Sequence, residues 1–150
     1  MTAVNDILLR ARERAAQLGL PYSGAVTPAE AHALTQALPN ARIVDVRTAA
    51  EWQFVGVVPG AELIEWKRFP DMALNPDFLG QLQTRIDRQS VVLFLCRSGA
   101  RSHDAAILAA SHGYAEAYNI LEGFEGDKDG AQHRNTVNGW KAADLPWVQG

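Results

Sequence analysis

The sequence predicts an α/β fold, a parallel sheet with helices packed on both faces. Three observations lead there. Short apolar or β-branched runs alternate along the chain with segments of helical periodicity, the pattern of strands joined by crossover helices. "ARIVDVR" is a short β-branched run ending in charged residues and "SVVLFLC" is apolar after its first residue, the profile of strands buried from both sides. The chain has 150 residues, enough for one domain to bury most of its apolar surface without disulfides or metals. No internal repeat, low-complexity tract or linker interrupts it, so a single domain over residues 1–150 is expected.

Taken in order, Ile7, Leu8, Ala11, Ala15 and Leu18 recur at helical spacing before Gly19 and Pro21. Residues 1–20 are therefore expected to form an N-terminal helix packed on the domain. Thr27 starts a second helix, with Pro28 at its first position and Glu30 placed to close a capping box; it should run to about Leu38. "ARIVDVR" is a buried strand, and a turn at Pro59-Gly60 leads to another in "PGAELIEW". Asn75-Pro76 opens a helix with Phe78, Leu79, Leu82 and Ile86 along its apolar side. "SVVLFLC" is the most apolar strand and hence the central one. "ARSHDAAILAASHGY" is a helix closed by Gly113, and "EAYNIL" the next strand. Residues 124–150 have no regular period and are expected to pack on the domain as an irregular tail.

Bulk properties exclude several classes of function. A net charge of -3 gives no electrostatic reason to expect nucleic acid. Asp6, Arg10, Arg12, Glu13 and Arg14 interrupt what would be the apolar stretch of an export signal. The longest apolar run, residues 91–96, is far short of the ~18 residues a membrane span needs. A cytoplasmic protein without membrane association is expected. The one cysteine, Cys96, has no intramolecular disulfide partner, which suits a reducing compartment or a thiol with a chemical task.

Cys96 ends the most apolar strand and is followed by Arg-Ser-Gly-Ala-Arg-Ser and then a helix. In a parallel sheet this places it beyond the carboxyl ends of the strands, where sites are built. Backbone N–H groups of the loop and the positive end of the helix dipole can converge on the sulfur, beside two arginines. Each feature favours a thiolate over a thiol. Cysteine-dependent phosphatases need five residues between cysteine and arginine; here four separate Cys96 from Arg101, one too few to surround a phosphoryl group.

This loop, with "VDVR" and "VPGAELI" before it and "NILEGFEG" after it, resembles the rhodanese family of sulfurtransferases over residues 26–124. The resemblance implies a rhodanese-like, five-stranded, mainly parallel sheet flanked by helices, in a single domain. It implies that Cys96 attacks the outer sulfur of a small anionic donor such as thiosulfate and becomes a persulfide, with no cofactor. A thiol or cyanide acceptor, or a partner protein in a sulfur relay, would then discharge it. Arg97, Ser98, Gly99, Ala100, Arg101 and Ser102 would cradle the persulfide, and the guanidinium of Arg97 or Arg101 would neutralise the donor and departing sulfite. The family often places a histidine before the Pro-Gly-Ala turn, where this chain has Val57 and Val58. A phosphatase or arsenate reductase with a short loop, or a non-catalytic module of the same fold, are the other readings.

Two charged residues support the site in this reading. Asp45, at the end of its strand, either accepts hydrogen bonds from Arg101 or the loop backbone, or caps the "TAAEW" turn. Arg47 has Glu51 four residues on, a local ion pair. His103 and Asp104, in the first turn of the following helix, are expected to face solvent instead of forming a triad with Cys96. His32, His112 and His133 lack metal-ligand spacing, and "EGDKDG" lacks the glutamate that would close a calcium loop. The four tryptophans are core and tail anchors. The glycine-containing stretch 124–139 follows a strand directly and is expected to border the persulfide pocket, with Arg134 or Asn135 reaching the acceptor.

Overall fold

The run expected to be the central strand lies in the middle of the sheet. A computed structural model describes residues 2–149; Met1 of the expected N-terminal helix and Gly150 of the tail lie outside the described residues. In chain order the elements are α1 (Thr2–Leu18), β1 (Gly24–Val26), α2 (Pro28–Ala37), β2 (Ala41–Asp45), α3 (Ala49–Val55) and β3 (Glu62–Leu63). Then come β4 (Lys67–Arg68), β5 (Ala73–Leu74), α4 (Phe78–Arg85), β6 (Val91–Leu95), α5 (Ala100–Ser111) and β7 (Glu116–Ile120). Five strands form a sheet in the order β1-β7-β6-β2-β3, each neighbouring pair parallel. The α/β class and five-stranded sheet are those expected.

Strand periodicity decides which helices cover which face. Along β6, Val91, Leu93 and Leu95 point into a core built with Val4, Ile7 and Ala11 of α1 and Ala31 and Leu34 of α2. Val92, Phe94 and the following Cys96 point the other way, against Phe78 and Leu82 of α4 and Ala105, Ala106 and Ala109 of α5. All five residues of β6 are buried, which is why its sequence does not alternate.

The tail completes the first of these cores. Phe124 and Trp140 are fully buried in it, and Trp140 donates its indole N–H to the Pro146 carbonyl at 2.8 Å. Val57 and Val148 form an antiparallel bridge that brings the end of the chain back beside the segment after α3.

Local structure departs from expectation at four places. β1 was not anticipated, because three residues carry too little periodicity. "PGAELIEW" yields only the two residues of β3 at the sheet edge. The β4–β5 hairpin between sheet and α4 is an additional element. The "TAAEW" stretch is helix α3 instead of a turn: Thr48 accepts from Glu51 N at 3.3 Å while the Glu51 carboxylate accepts from Thr48 N at 3.2 Å. This is the reciprocal capping box that also starts α2.

Candidate active site

The loop between β6 and α5 is shaped by two glycines. Gly99, at φ +115°, ends the loop in a left-handed turn and caps α5. The turn lets its own N–H donate to Cys96 Sγ at 3.1 Å. Gly123, at φ +68°, lies under the loop, where an added Cβ would sit 2.5 Å from the Arg97 carbonyl carbon. That close approach permits Phe124 N–H to donate to Cys96 O (2.8 Å) and Glu125 and Gly126 N–H to donate to Arg97 O (3.0 and 3.2 Å). The start of the tail thus holds the first two loop carbonyls from below.

Cys96 is 1% exposed, so the loop, not solvent, supplies the sulfur's surroundings. Besides Gly99, the Ser102 hydroxyl lies 3.4 Å from Sγ and 2.5 Å from Asn119 Oδ1. Among the described residues His103 makes no hydrogen bond to the sulfur; its Nδ1 is hydrogen-bonded to the Tyr22 hydroxyl at 2.7 Å. That bond replaces the solvent-facing position expected for His103.

The two arginines of the loop differ. Arg101 Nη1 and Nη2 donate to Glu51 Oε1 and Oε2 at 2.7 and 2.9 Å, a bidentate pair reaching from α5 to α3. Arg97 is exposed, and among the described residues its guanidinium has no ion-pair partner. Both line a pocket of about 380 Å³ with Thr48, Ala50, Glu51, Val55, Phe69 and Met72.

The Arg47–Glu51 pair expected from sequence does not form. Arg47 and Asp45 are both fully buried and paired with each other, Nε to Oδ1 at 2.9 Å and Nη2 to Oδ2 at 2.6 Å. Arg47 precedes α3, which starts at Ala49; the bend after β2 folds it back onto Asp45, whose carboxylate also accepts the Arg47 backbone N–H at 3.1 Å, and Glu51 pairs with Arg101 instead. Arg47 Nη2 also donates to Gly56 O at 2.7 Å, and its guanidinium carbon lies 4.4 Å from the centre of the Phe124 ring. Asp45 therefore neither meets Arg101 in a hydrogen bond nor caps α3.

Burial pushes the Glu51 carboxyl up, but hydrogen bonds and attraction from Arg101, with help from Thr48, outweigh it and hold it at about 2. Because this folded value lies below the ordinary 4.5, the pair's contribution to stability is present above pH 4.5 and is lost as pH falls toward about 2. Glu51→Gln is expected to flatten the pH dependence of unfolding free energy across that window, measured by urea titration at several acidic pH values. An unchanged slope would show that the pair is not maintained in solution.

The segment 127–138 contributes nothing to the pocket lining. It is tied to itself: Asp129 accepts from Ala131 N, His133 N and Thr136 Oγ1, and Arg134 donates to Gly126 O. The residues bounding the pocket opposite the loop are instead those of α3 and of the β4–β5 turn, Phe69 and Met72. Sequence reasoning did not single out these, nor Asn119 or the Glu51 partner of Arg101. Thr48 and Glu51 at capping-box spacing were the legible signal for α3, and Asn119 was legible as a polar residue within an apolar run.

Among the described residues no helix is long and apolar enough to cross a membrane. Comparison with known proteins agrees with the geometry. A Rickettsia rickettsii protein is 41% identical over 110 residues, 72% of this chain and 83% of its own. The structure of Rv0390 from M. tuberculosis superposes with a TM-score of 0.79 at 44% identity, over 86% of this chain and 99% of that one. The thiosulfate:glutathione sulfurtransferase of Saccharomyces cerevisiae is a more distant relative, 35% identical over 80 residues, 51% of this chain and 57% of its own. The model of the rhodanese-like domain matches residues 27–129, and the chain belongs to that family.

Proposed function

We propose that the chain is a single-domain sulfurtransferase that carries sulfane sulfur as a persulfide on Cys96. The observation that supports this best is the placement of the one thiol. It lies at the carboxyl end of the central strand, receives the Gly99 N–H at 3.1 Å, and is followed in the chain by Arg97, a cation of the adjoining pocket. The Cys96 thiolate attacks the outer sulfur of a thiosulfate-type donor. A bond forms between Sγ and that sulfur, the donor's S–S bond breaks, and sulfite leaves with the bonding electron pair. A thiol or cyanide acceptor, or the thiol of a partner protein, then takes the outer sulfur and returns Cys96 to the thiolate. This is covalent catalysis that splits one transfer into two easier steps.

The loop residues divide the work. Backbone groups of residues 97–102 hold the negative outer sulfur, with the N-terminus of α5 behind them. Arg97, whose guanidinium has no ion-pair partner among the described residues, receives the anionic donor. Arg101, already neutralised by Glu51, fixes the loop against α3. Asp45 and Arg47 act below the site by holding Gly56 and Phe124 in place. No cofactor is needed, and the reaction suits a reducing, cytoplasmic compartment.

Intact-protein mass measurement tests this. Freshly reduced protein exposed to thiosulfate should gain the mass of one sulfur atom, and cyanide should remove it. Cys96→Ser should gain nothing, because the thiolate is the nucleophile. Failure of the wild type to load from thiosulfate or mercaptopyruvate would favour a non-catalytic module. Turnover of p-nitrophenyl phosphate that vanishes in Cys96→Ser would overturn the sulfurtransferase reading in favour of a phosphatase.

A further inference from the structure

Ser102 is fully buried in the first turn of α5, with two neighbours in reach of its hydroxyl: Asn119 Oδ1 at 2.5 Å and Cys96 Sγ at 3.4 Å. A hydroxyl has one proton to donate. The orientation of the Asn119 amide follows from its other contact, since Nδ2 donates to the Gly99 carbonyl at 3.3 Å and its oxygen must then be the atom facing Ser102. An amide oxygen only accepts, so at 2.5 Å the serine donates to it. Ser102 consequently presents lone pairs, not its proton, to the sulfur. Among the described residues the Gly99 N–H is the remaining donor on Sγ.

This matters because the sulfur site exists in two charge states. In the free thiolate the negative charge is on Sγ. In the persulfide it moves to the outer sulfur, and Sγ becomes a neutral bridging atom. A hydroxyl proton on Sγ would stabilise the first state selectively, whereas an oxygen lone pair there opposes it and tolerates the second. We propose that Asn119 is a positioning residue: by holding the Ser102 proton away from Cys96, it shifts the balance of the site toward its sulfur-loaded form. This rests on the persulfide reading above and goes beyond it by assigning a residue on β7 to the loading equilibrium. The step it tilts is the reaction of the Cys96 thiolate with thiosulfate to give the Cys96 persulfide and sulfite.

The experiment combines two measurements on wild type, Ser102→Ala, Asn119→Ala and the double variant. The first is iodoacetamide alkylation of Cys96 as a function of pH, which needs no sulfur chemistry. Asn119→Ala frees the hydroxyl to serve the thiolate, so the midpoint of the profile should fall by about half to one pH unit, the shift one net hydrogen bond corresponds to. Ser102→Ala removes a proton the sulfur does not use together with the opposing lone pair, so its midpoint should lie level with that of wild type or at most about 0.3 unit below it. The double variant should match Ser102→Ala. The second measurement is the loaded fraction at a fixed thiosulfate-to-sulfite ratio, read by intact mass at alkaline pH where the thiol is ionised. There Asn119→Ala should shift the equilibrium about three- to tenfold toward the free thiolate.

A midpoint raised by Ser102→Ala would overturn the proposal, because the hydroxyl would then already be donating to sulfur. An Asn119→Ala shift that persists in the double variant would also overturn it, because the effect would come from loosening Gly99. If Asn119→Ala does not fold, the Ser102→Ala profile alone decides between the two positions of the proton. Absence of any loading in the wild type would refute the sulfurtransferase reading, while the alkylation profiles would still report where the Ser102 proton lies.

Discussion

Replacing Asp45 with Ala is expected to lower the unfolding free energy by about 3–5 kcal/mol, the cost of leaving a buried charge without its partner. Asp45 and Arg47 have no exposed side-chain surface. The carboxylate receives the Arg47 backbone N–H, Nε and Nη2 at once. Without it the guanidinium keeps one hydrogen bond, to Gly56 O, and its stacking on Phe124. Nη1 already has no partner among the described residues, so nothing nearby takes over the charge. Equilibrium urea unfolding should show a lower midpoint at an unchanged m-value. The double variant Asp45→Leu/Arg47→Met should recover much of the loss, because apolar groups of similar volume often replace a buried pair at little cost. A single-variant loss below about 1 kcal/mol would mean that water or a rearranged side chain compensates the arginine, against the fully buried geometry.

The contrast between Asp45–Arg47 and Glu51–Arg101 shows how far the sequence can be read. The sheet, its central strand and the position of Cys96 follow from continuous apolar runs, because burial on both faces leaves a signal in every residue of the run. The N-terminal helix and α2 follow from periodicity and from Thr27-Pro28 with Glu30. Partners of charged side chains are another matter. Arg47 and Glu51 are four apart, which predicts contact only if both lie on one helix; α3 starts at Ala49, after Arg47. Arg101 and Glu51 are fifty residues apart, and only the packing of α5 against α3 brings them together. The β4–β5 hairpin stayed hidden for a similar reason, since two-residue strands have no period. Residues 124–139 read as an acceptor loop because they follow β7; their start, residues 124–126, does hold the cysteine loop from below, whereas residues 127–138 are bonded largely among themselves and line no part of the pocket.

Arg97→Ala is expected to cost about 1.5–3 kcal/mol in kcat/KM for thiosulfate, or about 10- to 150-fold, the range for losing a charge-assisted hydrogen bond to the donor. The assignment rests on which cation is free. The Arg101 guanidinium is committed in bidentate fashion to Glu51, and binding a donor there would require breaking that pair or sharing its charge. Arg97 shares the pocket and is exposed, with no anion beside it among the described residues. Its loss should therefore remove both affinity for the dianion and the decline of kcat/KM with added salt, since screening acts on the charge pair that has been deleted. Arg97→Lys should restore only part of the rate, because an ammonium supplies charge without the planar fork. Arg101→Ala should behave differently. It releases the loop from α3 and leaves Glu51 as an uncompensated carboxylate in the pocket wall, so turnover falls while the salt dependence remains. The measurement is kcat/KM for thiosulfate across a series of ionic strengths in the three variants. Wild-type kinetics in Arg97→Ala, with salt dependence abolished in Arg101→Ala, would place the donor on Arg101 and require the Glu51 pair to open during turnover.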